Sequence, residues 1–313
     1  MEMAIVLGQQ VLVMLIYLLV GVAAAKAKIV TAEQSKGMSS MLLYILSPCM
    51  LLKAFKMDYQ PEKFTALLFS GFVSLLAALI LILSARYIFY RKNNELAPIE
   101  RSSVPYTNSG YLAIPLISAT LGNEAVFYSC GFLLVFNFFV WTHCLYQMSA
   151  GKAKVQLKSI IYNPNLIAIV IGLILFRFNI KLPSVMDTAV SGFGSMVAPV
   201  SLFIIGVTLA DESIKSIFFN KRAYWVCFVR LILAPLLLIV IFRIISISTW
   251  VPDGSLIINT ILIMSFAPAA VIISMFAQQY DLKVGYASQV VSLSTILSVV
   301  SMPLMLLVAQ MVL

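Results

Sequence analysis

Nine windows of this chain contain no Lys, Arg, Asp or Glu: Met3–Ala25, Gly37–Leu52, Phe64–Ala85, Ser102–Asn123, Ala125–Gly151, Ser159–Phe176, Thr188–Ala210, Gly254–Tyr280 and Val284–Leu313. A tenth, Ala223–Ile245, is interrupted only by Arg230 and Arg243. A helix needs about 20 apolar residues to cross the hydrocarbon core of a bilayer. Several of these windows are too long for core helices of a water-soluble protein. They do not alternate apolar and polar residues, as lipid-facing β-strands would. The prediction is an all-α membrane protein with ten spans, numbered 1 to 10 in chain order.

Composition agrees. Of 313 residues, 62% are apolar and 11% charged, against about 45–50% and 25% in soluble domains. Too little charge remains to clothe a soluble surface, which excludes a soluble enzyme, a DNA-binding module and a disordered tail. The formal charge of +9 reflects topology rather than nucleic acid, because Lys and Arg accumulate in cytoplasmic loops. Loops after odd spans hold 14 of them and loops after even spans hold 6, predicting a multi-pass protein of the cell (inner) membrane with both termini outside the cytoplasm. Trp250 beside Pro252 suits the outer interface. Residues 3–25 end in three alanines but lack the basic start and short apolar core of a signal peptide, so they read as a retained first span. Cys49, Cys130, Cys144 and Cys227 lie in apolar runs without metal-ligand spacing. No Walker loop or nucleophile–base arrangement is present. The chain is expected to be no enzyme and to hold no metal or cofactor.

Prolines repeat. Pro48 in span 2 matches Pro199 in span 7 at an offset of 151, and Pro115 in span 4 matches Pro268 in span 9 at 153. Two pairs at nearly one offset predict two five-helix halves, residues 1–151 and 152–313. Five is odd, so the second half enters the membrane from the opposite side. Inverted repeats with proline-broken helices mark secondary transporters.

The segment Tyr106 to Pro115 concentrates Tyr106, Thr107, Asn108, Ser109, Gly110 and Tyr111 inside a charge-free span. Its counterpart runs from Asn259 through Ser265 to Pro268. Unwound backbone at membrane depth survives only inside protein or beside a watery cavity. Two unwound stretches crossing at the midplane would turn helix N-termini, with their partial positive charge, toward a carboxylate. Asn108 would donate its amide to that anion. Thr107, Ser109 and Tyr106 are open between this role and gluing helices together. No acid lies mid-span; Glu124, Asp187, Asp211 and Asp281 sit near span ends, which weakens a cation-antiporter reading. Lys53, Lys56 and Arg177 read as snorkelling, whereas Arg230 is deeper and open between snorkelling and attracting or pairing an anion. The one histidine, His143, is either a neutral hydrogen-bonded group of span 5 or a proton relay, and Asn137 on the same span is equally open. The hydroxyls Ser292, Ser294, Thr295, Ser298 and Ser301 read as close helix packing.

Taken together, Asn108-Ser109-Gly110-Tyr111-Leu112-Ala113-Ile114-Pro115-Leu116, Leu121-Gly122-Asn123-Glu124, Asn163-Pro164, Ala198-Pro199-Val200-Ser201-Leu202, Ile205 to Leu209, Ala267-Pro268-Ala269 and the stretch Ser294 to Leu304 resemble motifs of the auxin efflux carrier family along the whole chain. The resemblance implies a scaffold of spans 1, 2, 6 and 7, and a transport domain of spans 3–5 and 8–10. It further implies a substrate at the crossing of spans 4 and 9, elevator-like alternating access and a homodimer through spans 2 and 7. Family members move organic anions such as auxin, malate or malonate. The short connection near Gly151–Lys158 resembles bacterial-type members. The bile acid:sodium symporters share the architecture, which keeps sodium coupling as an alternative, beside a non-transporting membrane sensor on the same fold.

Overall fold

The computed structural model describes residues 2–90, 94–153, 157–211 and 220–313. Arg91, Lys92, Lys154 and Lys215, counted above for topology, and the side chains of Tyr111 and Asp211 lie outside the described residues. The described chain is helical, with no strand among the described residues. Six helical tracts are long and apolar enough to cross a membrane: Glu33–Ala54, Pro61–Ile88, Asn123–Met148, Ser184–Ala210, Lys221–Ile244 and Val284–Val312. Leu12–Lys26, Pro164–Arg177 and Gly254–Phe266 are shorter apolar helices. Spans 4 and 9 depart from the others, each being divided between two shorter helices. Large apolar side chains such as Leu68, Leu83, Val240 and Val300 face outward, as helices bathed in lipid require.

The elements are α1 (Glu2–Lys26), α2 (Ala32–Met41), α3 (Ser47–Ala54), α4 (Pro61–Ile88), α5 (Ala97–Ser103), α6 (Ile114–Thr120), α7 (Asn123–Phe139), α8 (Leu145–Met148) and α9 (Leu157–Ile161). They continue as α10 (Pro164–Arg177), α11 (Ser184–Ser195), α12 (Val197–Asp211), α13 (Lys221–Phe228), α14 (Ala234–Ile244), α15 (Gly254–Phe266), α16 (Ile272–Gln279) and α17 (Val284–Val312). Four π-helical turns interrupt them: Leu42–Leu46, Ser109–Ala113, Val140–Cys144 and Val229–Leu233. Three directly precede a proline in the next helix, namely Pro48, Pro115 and Pro235. A proline ring clashes with the carbonyl four residues back and brings no N–H; the wider π turn opens room for that clash without ending the helix.

Packing falls into two groups. Helix α1 lies along α12, and α3 packs on α10 and α11. Separately, α4 lies along α7, which also meets α15, while α17 packs on α13 and α15. The α1–α12 contact depends on two glycines. A Cβ on Gly206 would collide with the Leu18 carbonyl oxygen and stand 2.9 Å from the Val22 nitrogen, and one on Gly21 would collide with the Phe203 carbonyl oxygen. Small residues that let backbones approach are the usual device of helix pairs in lipid. Gly206→Ala should therefore cost about 1–3 kcal/mol by overpacking. Gly71→Ala, where a Cβ meets nothing within 4 Å, should be neutral or stabilise by up to about 1 kcal/mol. Thermal unfolding of the two variants in one detergent checks the contrast.

Candidate functional site

The two broken helices cross. Helix α15 ends at Phe266 because Ala267, ahead of Pro268, turns to extended backbone (φ −58°, ψ 154°), the conformation a following proline favours. In the fourth span α5 ends at Ser103, just before Pro105, and helix resumes as a π turn at Ser109. The freed backbone groups satisfy one another in an isolated antiparallel bridge between Thr107 and Ala269. The Asn108 N–H donates to the Pro268 carbonyl at 2.7 Å, and the Ala270 N–H donates to that of Tyr106 at 3.0 Å. The Ala269 N–H donates to the Ser294 hydroxyl at 3.1 Å. Pro115 is not at this break. It lies seven residues past Asn108 inside α6, so Pro115 and Pro268 do not occupy equivalent positions.

The other site candidates separate into two sets. Tyr106, Thr107, Asn108, Ser109 and Ser265 are buried at the crossing. Among the described residues the Asn108 carboxamide makes no hydrogen bond, and the buried hydroxyls of Thr107 and Ser265 have no partner. A Cβ on Gly110 would meet nothing within 4 Å, so the chain is open there. The Tyr106 hydroxyl lies 2.7 Å from His143 Nδ1, which brings His143, within the π turn Val140–Cys144, to the edge of the crossing. Arg230 is fully buried and points into it. Its guanidinium donates to the carbonyls of Val104 (2.5 Å), Ser265 (2.6 Å) and Ala267 (3.0 Å from Nε, with a further bond from Nη2). It does not snorkel.

Two candidates lie elsewhere. Asn259 is nine residues before Pro268 in α15, about 13 Å down the helix, with its buried Oδ1 unpartnered. Asn137 donates to the Leu133 carbonyl and accepts from Asn163, the residue that caps α10. That is a helix-to-helix link, away from the crossing. Of the residues expected to snorkel, Lys56 pairs with Asp187 and also donates to the Ser191 hydroxyl at 2.6 Å, while Arg177 stacks 4.8 Å over the Tyr59 ring. Lys56 and Asp187 border an open cavity of about 450 Å³ with Asp58, Asn179 and Lys181, at the ends of α3 and α10.

Two polar clusters were not foreseen. In one, Lys63 at the start of α4 pairs with Glu124 and with Asp253, and the Tyr128 hydroxyl donates to Asp253 at 2.5 Å. In the other, Arg222 at the start of α13 holds buried Glu100 through the fork of its Nε and Nη2, and the Tyr286 hydroxyl donates to Glu100 at 3.0 Å. Each has one base, one tyrosine and an acid that opens a broken helix. The second stands at the far end of α4, because neighbouring Arg101 donates to the Phe89 carbonyl. Roughly 40 Å of helix separates them.

The Asp253 carboxyl, in the turn before α15, is held below its ordinary value of 3.8 by the Tyr128 hydrogen bond first and by Lys63 second. A carboxylate depressed in the folded state contributes stability that is complete above 3.8 and is lost as pH falls through the lower folded value. Tyr128→Phe should therefore lower the melting temperature at pH 7, and its gap from wild type should shrink as pH falls below about 4. Melting curves from pH 7 to 3 read this; a gap that widens on acidification rejects it.

A segment of 208 residues is 29% identical to a protein of Methanothermobacter thermautotrophicus described as an uncharacterized transporter, the match spanning 63% of each chain. The family model described as "Membrane transport protein" matches residues 6–306. With broken helices crossing in an all-helical, apolar bundle and a family match from near one end of the sequence to the other, the chain belongs to the membrane transport protein family, that of the auxin efflux carriers.

Proposed function

We propose that this protein is a secondary transporter of small organic anions, carboxylates such as malate, malonate or auxin-like acids, which bind at the crossing of spans 4 and 9. The observation that carries this is Asn108. It is a buried residue whose carboxamide makes no hydrogen bond among the described residues, near the unpartnered hydroxyls of Thr107 and Ser265, at the point where two half-helices begin. Helices opening at Ser109 and Ile272 would direct their positive ends at a carboxylate, and the Asn108 amide would donate to it.

In this reading ten spans form two inverted halves, residues 1–151 and 152–313. The matched clusters support it: Lys63, Tyr128 and Asp253 of spans 3, 5 and 9 at one end correspond in kind, with the halves exchanged, to Arg222, Tyr286 and Glu100 of spans 8, 10 and 4 at the other. Each joins a base from one half to an acid that opens span 4 or span 9. The clusters fasten spans 3–5 and 8–10 to one another, while α1, α3 and α10–α12 pack as a second group, as a moving transport domain and a static scaffold would. The scaffold would pair with a second copy through spans 2 and 7, which native mass spectrometry in mild detergent reads as a dimer. The odd loops, and with them Glu100 and Arg222, would face the cytoplasm of a cell with a single or inner membrane.

Export of an anion runs down the membrane potential, worth about 2.3 kcal/mol per charge per 100 mV. The expected result in proteoliposomes is malate or malonate flux that follows an imposed valinomycin–potassium potential and is unchanged when choline replaces sodium. Flux that ignores the potential and requires a sodium gradient would make this a sodium symporter. Flux requiring a pH step and lost in His143→Ala would make it proton-coupled. Binding with no flux under any gradient would make it a sensor.

A further inference from the structure

We propose that Arg230 is a resident cation. It fills the carbonyl-lined position at the crossing where a carrier with broken helices would otherwise hold a mobile coupling cation. In transporters of this design, unwound carbonyls and the C-terminal ends of half-helices commonly coordinate sodium or a proton. Here two such ends converge. Val104 caps the C-terminus of α5 and Ala267 that of α15, and Arg230 donates to the carbonyls of both, and to that of Ser265.

Charge explains why it can stand there. A fully buried guanidinium is costly unless compensated. Among the described residues Arg230 pairs with no carboxylate. Each helix C-terminus carries roughly half a negative charge, so two converging ends supply about one negative charge against one positive. The compensation needs no acid, which accounts for the absence of a mid-span Asp or Glu in this sequence. The same bonds commit Nε and both terminal nitrogens to backbone oxygens. Arg230 therefore holds the geometry of the crossing rather than binding the substrate anion. It is a positioning residue, delivered by the widened turn Val229–Leu233.

The assignment deepens the transport reading and rests on it only for its consequence, sodium-independent transport. Its test reads the cation site without flux. Purified full-length protein is melted by tryptophan fluorescence in sodium chloride or choline chloride at equal ionic strength, and again with low-millimolar guanidinium. Wild type is expected to melt at one temperature in all three. Arg230→Ala should lose about 5 °C or more and regain much of it in guanidinium or sodium but not in choline; Arg230→Lys should lie between. Saturable stabilisation of wild type by sodium would overturn the proposal, because the site would then be free. Equal melting of Arg230→Ala and wild type, or a destabilised Arg230→Ala that no cation restores, would also overturn it. If Arg230→Ala cannot be purified, the wild-type sodium titration and the Arg230→Lys melt decide. The predicted melting pattern in a protein that moves no carboxylate would sink the transport reading and leave this assignment standing.

Discussion

Replacing Asn108 by Ala should cut carboxylate transport by about 10- to 100-fold, the cost of one hydrogen bond to a charged group, while leaving the fold intact. Both halves of the expectation come from the same observation. The carboxamide has no hydrogen-bond partner among the described residues, so its removal breaks no hydrogen bond within the fold. The backbone bond from Asn108 to Pro268 survives the substitution, and the crossing should keep its shape. Initial rates in proteoliposomes, with the melting temperature measured beside them, separate the two effects. A variant that transports normally removes Asn108 from the site. One that loses transport together with several degrees of melting temperature makes it a structural residue instead.

The second large effect concerns stability and is asymmetric. The Glu100 side chain is 2% exposed and that of Arg222 is 37% exposed. Arg222→Ala strands a buried carboxylate with the Tyr286 hydroxyl and the Asn94 amide as its remaining donors, and should cost about 3 kcal/mol. Glu100→Gln should cost less. The amide is neutral, can still accept from Tyr286, and releases a guanidinium that already reaches solvent. The double variant should be more stable than Arg222→Ala alone, since the stranded charge is gone. Melting temperatures of the three variants give the order. Arg222→Ala no worse than Glu100→Gln would mean that Glu100 finds water or another partner.

The charge-free windows were enough to read the all-helical, membrane-spanning class, because lipid imposes a length and a composition that no other environment demands. The break at Pro268 was legible as a proline among small residues. Its partner was not. The polar run after Tyr106 drew attention to Pro115, which the structure absorbs behind a π turn, while the helix parts before Pro105. Whether a proline bends, widens or breaks a helix depends on what can accept the freed groups, and here the acceptor lies in another helix. The same limit hid the polar clusters: Lys63 meets Asp253 across 190 positions and Arg222 meets Glu100 across 122, at no spacing a local pattern encodes. Arg230 stood out as a deep charge, but its partners are backbone carbonyls, which every residue carries and no sequence marks. Asn259, the first residue of the counterpart stretch, falls more than two turns from the crossing.

The claim that a carboxylate binds where the broken helices cross is tested most directly at Gly110, where the structure leaves open space. Gly110→Cys would be made in a chain whose half-buried Cys49 is replaced by Ser; the three other native cysteines are buried. Membrane vesicles carrying it would be treated with a small thiol reagent, with and without saturating concentrations of whichever of malate and malonate moves in the flux assay. The account predicts that the thiol is labelled and that the transported anion slows the labelling, whereas sulfate at equal ionic strength does not. Labelling at the same rate with and without the transported anion would place its site elsewhere and contradict the account.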